Sequence, residues 1–144
     1  MTIQVDFYLI PGNDDMARYR FACLLIEKAY AKQCRLYAHC ASLQGAHLLD
    51  ELLWTFQEDS FIPHNLCGEG PTPPPAIQIG CSEAPPHHRD ILLNLTSTIP
   101  TFHEKFRRII EIIPGDPDAK IAARENYRDY RSKGYNLNSH KMNP

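Results

Sequence analysis

The sequence has no long hydrophobic run. Its apolar stretches are short, Cys23-Leu24-Leu25-Ile26 among them, far below the roughly 18 residues that cross a membrane. Met1-Thr2-Ile3-Gln4-Val5-Asp6 lacks the basic region and apolar stretch of a secretory leader, so a cytoplasmic location is expected. The five cysteines (Cys23, Cys34, Cys40, Cys67, Cys81) are odd in number and form no C-x-x-C pair. That pattern suits reduced thiols better than a disulfide frame. Glycine-rich phosphate chemistry is missing too. Pro11-Gly12-Asn13-Asp14-Asp15-Met16, the first strand-to-helix turn, holds one glycine where a dinucleotide fingerprint needs three, and no G-K-[ST] loop follows. Asp14 and Asp15 stabilise the helix start themselves and repel an anion there. His39-Cys40, Cys67, Cys81 and His87-His88 match no zinc spacing, and Glu58-Asp59 reads as solvated loop charge. No catalytic residue, metal or cofactor is expected.

What is present is an ordinary globular composition, 43% hydrophobic and 22% charged, at a length that fits one domain over residues 1–144. Val5 to Leu9 reads as a strand, and Asp14 or Asp15 can cap a helix reaching about Lys32. Arg35 to His39 reads as a strand, followed by a helix capped by Ser42 and running to about Thr55. Ala76 to Ile79 and Asp90 to Leu95 read as strands, and the second has the apolar run of one covered on both faces. A helix from about Thr101 to Arg108 and a strand over Ile109 to Ile113 follow. Pro114-Gly115-Asp116-Pro117 breaks the chain before a terminal helix. Gly68-Glu69-Gly70-Pro71-Thr72-Pro73-Pro74-Pro75 reads as a surface loop. Alternating strands and helices of this kind predict an α/β fold: a three-layer α/β/α domain with a mostly parallel central sheet, Rossmann-like but without the nucleotide fingerprint.

The terminal helix carries the chain's most uneven charge. From Lys120 to Lys133 five cations face two acids, in a protein of formal net charge −2 whose other residues carry ten cations and fifteen acids. At about 100° per residue, Lys120, Arg124, Arg128 and Arg131 fall within roughly an 80° arc, with Tyr127 at its border and Glu125 and Asp129 on the other side. Most charge runs are solvated faces. Segregation and the aromatic edge favour a ligand here, either nucleic-acid phosphates or a peptide with carboxylates and an apolar anchor. A net-acidic chain repels a long polyanion away from the stripe, whereas a short acidic peptide needs only the local patch, where arginine holds a terminal carboxylate through two parallel hydrogen bonds.

A second stretch, Asp50 to Leu66, is rich in large apolar residues across a helix end and loop. Trp54, Phe61, Ile62 and Leu66 exceed what a connector needs, and Phe61 precedes Ile62-Pro63 in extended geometry. Exposed aromatics rimmed by polar groups mark protein interfaces.

At these stretches the sequence resembles the chi subunit of bacterial DNA polymerase III holoenzyme. The resemblance is carried by Phe7-Tyr8-Leu9, Leu49-Asp50-Glu51 with Leu53-Trp54, Ser60-Phe61-Ile62-Pro63-His64-Asn65-Leu66 before Gly68-Glu69-Gly70, and Arg89-Asp90-Ile91-Leu92. Ala123-Arg124-Glu125, Tyr127, Tyr130-Arg131 and Gly134-Tyr135-Asn136-Leu137-Asn138 complete it, so it runs essentially end to end. It implies a non-catalytic member of the clamp-loader assembly in DNA replication. Such a subunit pairs one-to-one with the psi subunit and captures the acidic, phenylalanine-ended C-terminal tail of single-stranded DNA-binding protein (SSB). By position, the tail site implied is Lys120, Arg124, Tyr127 and Arg128 with Ile113 lining an apolar slot. The psi-facing surface implied is Trp54, Phe61 and Pro63. The alternative is direct binding of single-stranded DNA by the same stripe, with Tyr127 as a stacking platform.

Overall fold

The computed structural model describes residues 2–57, 61–67, 75–82 and 89–142. Glu58-Asp59, most of the proline-rich stretch and His87-His88 lie outside them. The strands are β1 (Gln4–Leu9), β2 (Leu36–Cys40), β3 (His64–Leu66), β4 (Ile77–Gly80), β5 (Ile91–Leu95), β6 (Arg108–Ile113) and β7 (Asn136–Lys141). The helices are α1 (Asp15–Ala31), α2 (Leu43–Thr55) and α3 (Pro117–Ser132). The strands form one sheet in the order β3-β4-β2-β5-β6-β1-β7, and every pairing is parallel. The expected mostly parallel sheet is therefore wholly parallel among the described residues.

Local chemistry explains the helix starts. Asp14 accepts from the Ala17 amide at 2.9 Å and Ser42 from the Gly45 amide at 3.1 Å, each satisfying an amide that the helix leaves open. One apolar cluster joins Ala22, Ile26, Ala46, Leu49 and Leu53 of α1 and α2 to Ala38, Ile79, Leu93 and Ile110 of the sheet. A second joins Tyr130 of α3 to Val5, Phe7, Leu92 and Ile109. Successive strand residues point to opposite faces, so two helices cover one face and α3 the other. The three-layer arrangement follows.

Three elements differ from the sequence reading. The helix expected over Thr101 to Arg108 is only a 3-10 turn, His103–Lys105. The Arg107 and Arg108 amides donate instead to the carbonyls of Arg89 and Asp90 at 3.1 Å, drawing Arg108 into β6. β3 is a strand inside the segment read as loop. The terminal segment does not stay helical but turns at Gly134 and returns as β7 beside β1.

Candidate partner-binding surfaces

Helix α3 starts where Asp116 accepts from the Ala119 amide at 3.0 Å, with Pro117 in the first helical position. Its inner side is held by a buried polar cluster. The Tyr130 hydroxyl donates to Glu111 Oε2 of β6 at 2.8 Å, and Asn94 Nδ2 of β5 donates to the same oxygen at 2.8 Å. Asn126 Nδ2 donates to the Ser97 carbonyl at 3.1 Å. Directional bonds of this kind fix the rotation of α3 on the sheet more tightly than apolar packing alone. Burial pushes the Glu111 carboxyl up to about 7 despite the bonds from Asn94 and Tyr130, which pull it down.

That rotation sets the cationic stripe above the outer strands. A hollow of about 260 Å³ opens between α3 and the C-terminal ends of β1, β6 and β7. Phe7, Leu9, Ile113 and Ala123 supply its apolar lining, Tyr127 and Ser139 its margins, and Lys120 and Arg124 its charge. Tyr127 is half-buried and packs on Phe7, ring centres 5.3 Å apart. Among the described residues the ion pairs are Asp50–His64, Asp6–Arg108 and Asp6–His140. None engages Lys120, Arg124, Arg128 or Arg131, so these cations are available to an external anion. The hollow falls below the roughly 300 Å³ typical of drug-sized ligands. It suits one side chain with an adjacent carboxylate.

A second surface forms at the other edge of the sheet. Trp54 at the end of α2 is 46% exposed and Phe61 70% exposed, their rings 5.5 Å apart. Pro63 beside them is half-buried. Trp54 rests on the ring of His64, centres 4.3 Å apart. His64 is buried, its ring nitrogens 2.5 Å from the Ile62 carbonyl and 3.0 Å from the Asp50 carbonyl. This histidine ties the Phe61 segment to α2 and underlies the Trp54 ring.

A wider cleft of about 490 Å³ at the N-termini of α1 and α3 is lined by Asp14, Asp15, Asp116 and Asp118 with Arg18. Carboxylates occupy the helix starts where a nucleotide phosphate would bind, which opposes an anionic ligand. Burial pushes the thiols of Cys23 and Cys40 up to about 12 and that of Cys67 up to about 11, leaving them weak nucleophiles. Among the described residues no group of three or more His, Cys, Asp or Glu could hold a metal, and no helix is long and apolar enough to cross a membrane.

Comparison with known proteins decides the lineage. The family model described as "DNA polymerase III chi subunit, HolC" matches residues 1–138. The chain belongs to this family. The chi subunit of Pseudomonas aeruginosa is 42% identical over 139 residues, 96% of each chain. That of Haemophilus influenzae is 32% identical over 143 residues, 99% of each chain. That of Escherichia coli is 31% identical over 138 residues, covering 92% of this chain and 94% of the relative. Membership makes this a DNA polymerase III subunit with a role in DNA replication, and chi is an accessory rather than a catalytic component.

The structure gathers Ile113, Lys120, Arg124 and Tyr127 around one hollow. Arg128 is exposed along the same helix but does not line it. Trp54 and Phe61 lie ring against ring, and Pro63 follows two residues after Phe61. Sequence reasoning missed Phe7, Leu9, Ala123 and Ser139 in the hollow, and His64 beneath Trp54. Leu9 and Phe7 alternate like ordinary core residues, so only the placement of α3 reveals their second role.

Proposed function

We propose that this chi-family chain, acting as one domain, is a non-catalytic adaptor within the clamp-loader assembly. It binds the acidic C-terminal tail of single-stranded DNA-binding protein at the hollow and the psi subunit at the Trp54–Phe61 surface. The observation that carries the tail assignment is the hollow itself: an apolar slot of Phe7, Leu9, Ile113 and Ala123 beside Lys120 and Arg124, two cations with no carboxylate partner among the described residues. The slot takes the last side chain of the tail, and burying one phenylalanine there contributes about 1.5–3 kcal/mol. Arg124 and Lys120 hold the terminal carboxylate by charge-assisted hydrogen bonds. Arg128, further along the helix, meets preceding acidic residues. DNA contact is then indirect. Direct single-strand binding is less well supported, since Tyr127 is half-buried and packs on Phe7 rather than standing free as a stacking platform.

Calorimetric titration with an acidic, phenylalanine-ended peptide tests the assignment. Arg124 is exposed and has no ion-pair partner among the described residues, so Arg124→Glu keeps its fold and loses at least tenfold in affinity, the equivalent of about 1.4 kcal/mol. Unchanged affinity would remove the hollow from the tail site. Tighter binding of an oligonucleotide than of the peptide, at matched salt, would favour the DNA reading.

A further inference from the structure

We propose that the acidic peptide taken by the hollow binds as an added strand on the free edge of β7, an inference that rests on the tail-binding reading above. Among the described residues β7 is the outermost strand and pairs only with β1. The Asn136 amide donates to the Ile3 carbonyl at 3.0 Å and the Met142 amide to the Leu9 carbonyl at 2.9 Å. In a parallel ladder alternate residues turn both backbone groups to the same neighbour. Asn136, Asn138 and His140 therefore serve β1, and the amides and carbonyls of Leu137, Ser139 and Lys141 point away from the sheet.

Those same three residues share a side-chain face. Leu137 packs with the α3-side cluster and Ser139 lines the hollow, and strand alternation puts Lys141 on that face as well. The open backbone thus borders the groove whose other wall carries Lys120 and Arg124. A strand laid here has its terminal residue in the hollow and its preceding residues beside β7, with every second backbone amide paired.

Long unpaired edges are usually blunted by short length, bulges, proline or charge. The opposite edge strand, β3, has only three residues. β7 has six, none of them proline or acidic. Lys141 on this edge opposes pairing with a second copy of the chain by like charge, while it attracts a carboxylate-rich partner. Charge and continuity with the hollow select the same occupant.

The test is an affinity series with the acidic, phenylalanine-ended peptide, singly N-methylated at successive residues. Each backbone bond lost is expected to weaken binding about five- to tenfold, at every second position only. Ser139→Pro deletes an outward amide and leaves the bonds to β1, so it weakens the unmethylated peptide by a similar factor. The N-methyl series needs no altered protein and stands even if that variant misfolds. Full wild-type affinity with uniform tolerance of N-methylation would overturn the added strand and leave the hollow's role intact. No binding of the unmethylated peptide would overturn the tail reading itself. Self-association in sedimentation that persists with the peptide bound would give the edge to a second copy and likewise overturn the proposal.

Discussion

At the scale of single residues, Glu111 pays for its position in a way that pH exposes. Its carboxyl is raised by burial from 4.5 to about 7, while Tyr130, whose hydroxyl it holds, is raised well above the usual phenol range, chiefly by burial as well. Between those two values of Glu111 the unfolded chain has released the proton and the folded chain keeps it. The native state then binds more protons at this site, so the contribution of Glu111 to stability is fully present at or below about pH 4.5 and is lost as pH rises to about 7. The whole effect is about 3 kcal/mol in order of magnitude. Glu111→Gln removes this titration and leaves the others in place. The melting temperature of the wild type, taken relative to the variant, is expected to fall from pH 4.5 to 7.5 and level off above. A difference that stays flat across that range would mean Glu111 ionises normally in the fold. His64 acts by position: its contacts with α2 and the Ile62 carbonyl make it the support beneath Trp54.

At the scale of elements, the decisive event is the end of α3. Gly134 has φ +80, its amide donates to the Arg131 carbonyl at 3.0 Å, and the Tyr135 amide reaches the Tyr130 carbonyl at 3.3 Å. These two bonds form a Schellman cap, which turns the chain back to enter β7. A Cβ at Gly134 would meet nothing within 4 Å, so the cost of Gly134→Ala is conformational alone, about 1 kcal/mol. Urea unfolding is expected to report that loss, and Gly134→Asn less of it because asparagine tolerates the left-handed region. Equal stability of all three proteins would contradict this origin of the cap. The start and cationic stripe of α3 were legible in sequence because Asp116-Pro117 and the spacing of the arginines are local signals. β7 was not. Asn136-Leu137-Asn138-Ser139 has weak strand preference, and only pairing with β1, more than a hundred positions earlier, makes it a strand. Phe102 and Phe106 have helical spacing, yet pairing of the next residues with the start of β5 overrides it. The charged half of the hollow could be read in advance for the same local reason. Its apolar half, from β1 and β7, depends on contacts made only after folding.

At the scale of the whole molecule, the two candidate surfaces lie at opposite edges of one sheet. Trp54, Phe61 and Pro63 gather around β3, and the hollow opens beside β1 and β7, the order being β3-β4-β2-β5-β6-β1-β7. Six strand spacings of about 4.8 Å put the edges roughly 30 Å apart, beyond the roughly 10 Å reach of charge at 0.1 M salt. Their chemistry differs too. The hollow relies on cations with no ion-pair partner among the described residues, so tail affinity should fall as salt rises, whereas the aromatic surface relies mainly on apolar burial and should change little. Sites this far apart with no shared partners are expected to act additively. Phe61→Ala should therefore weaken psi binding while leaving tail affinity within about twofold, and Arg124→Glu should do the reverse. The double variant should lose both by the same factors as the single ones. Titrating the tail peptide into the free protein and into its psi complex checks the same point, with equal affinities expected. A tail affinity that changed several-fold on psi binding would require the rigid, wholly parallel sheet to transmit strain between its edges, and the adaptor would then be a switch rather than a bridge.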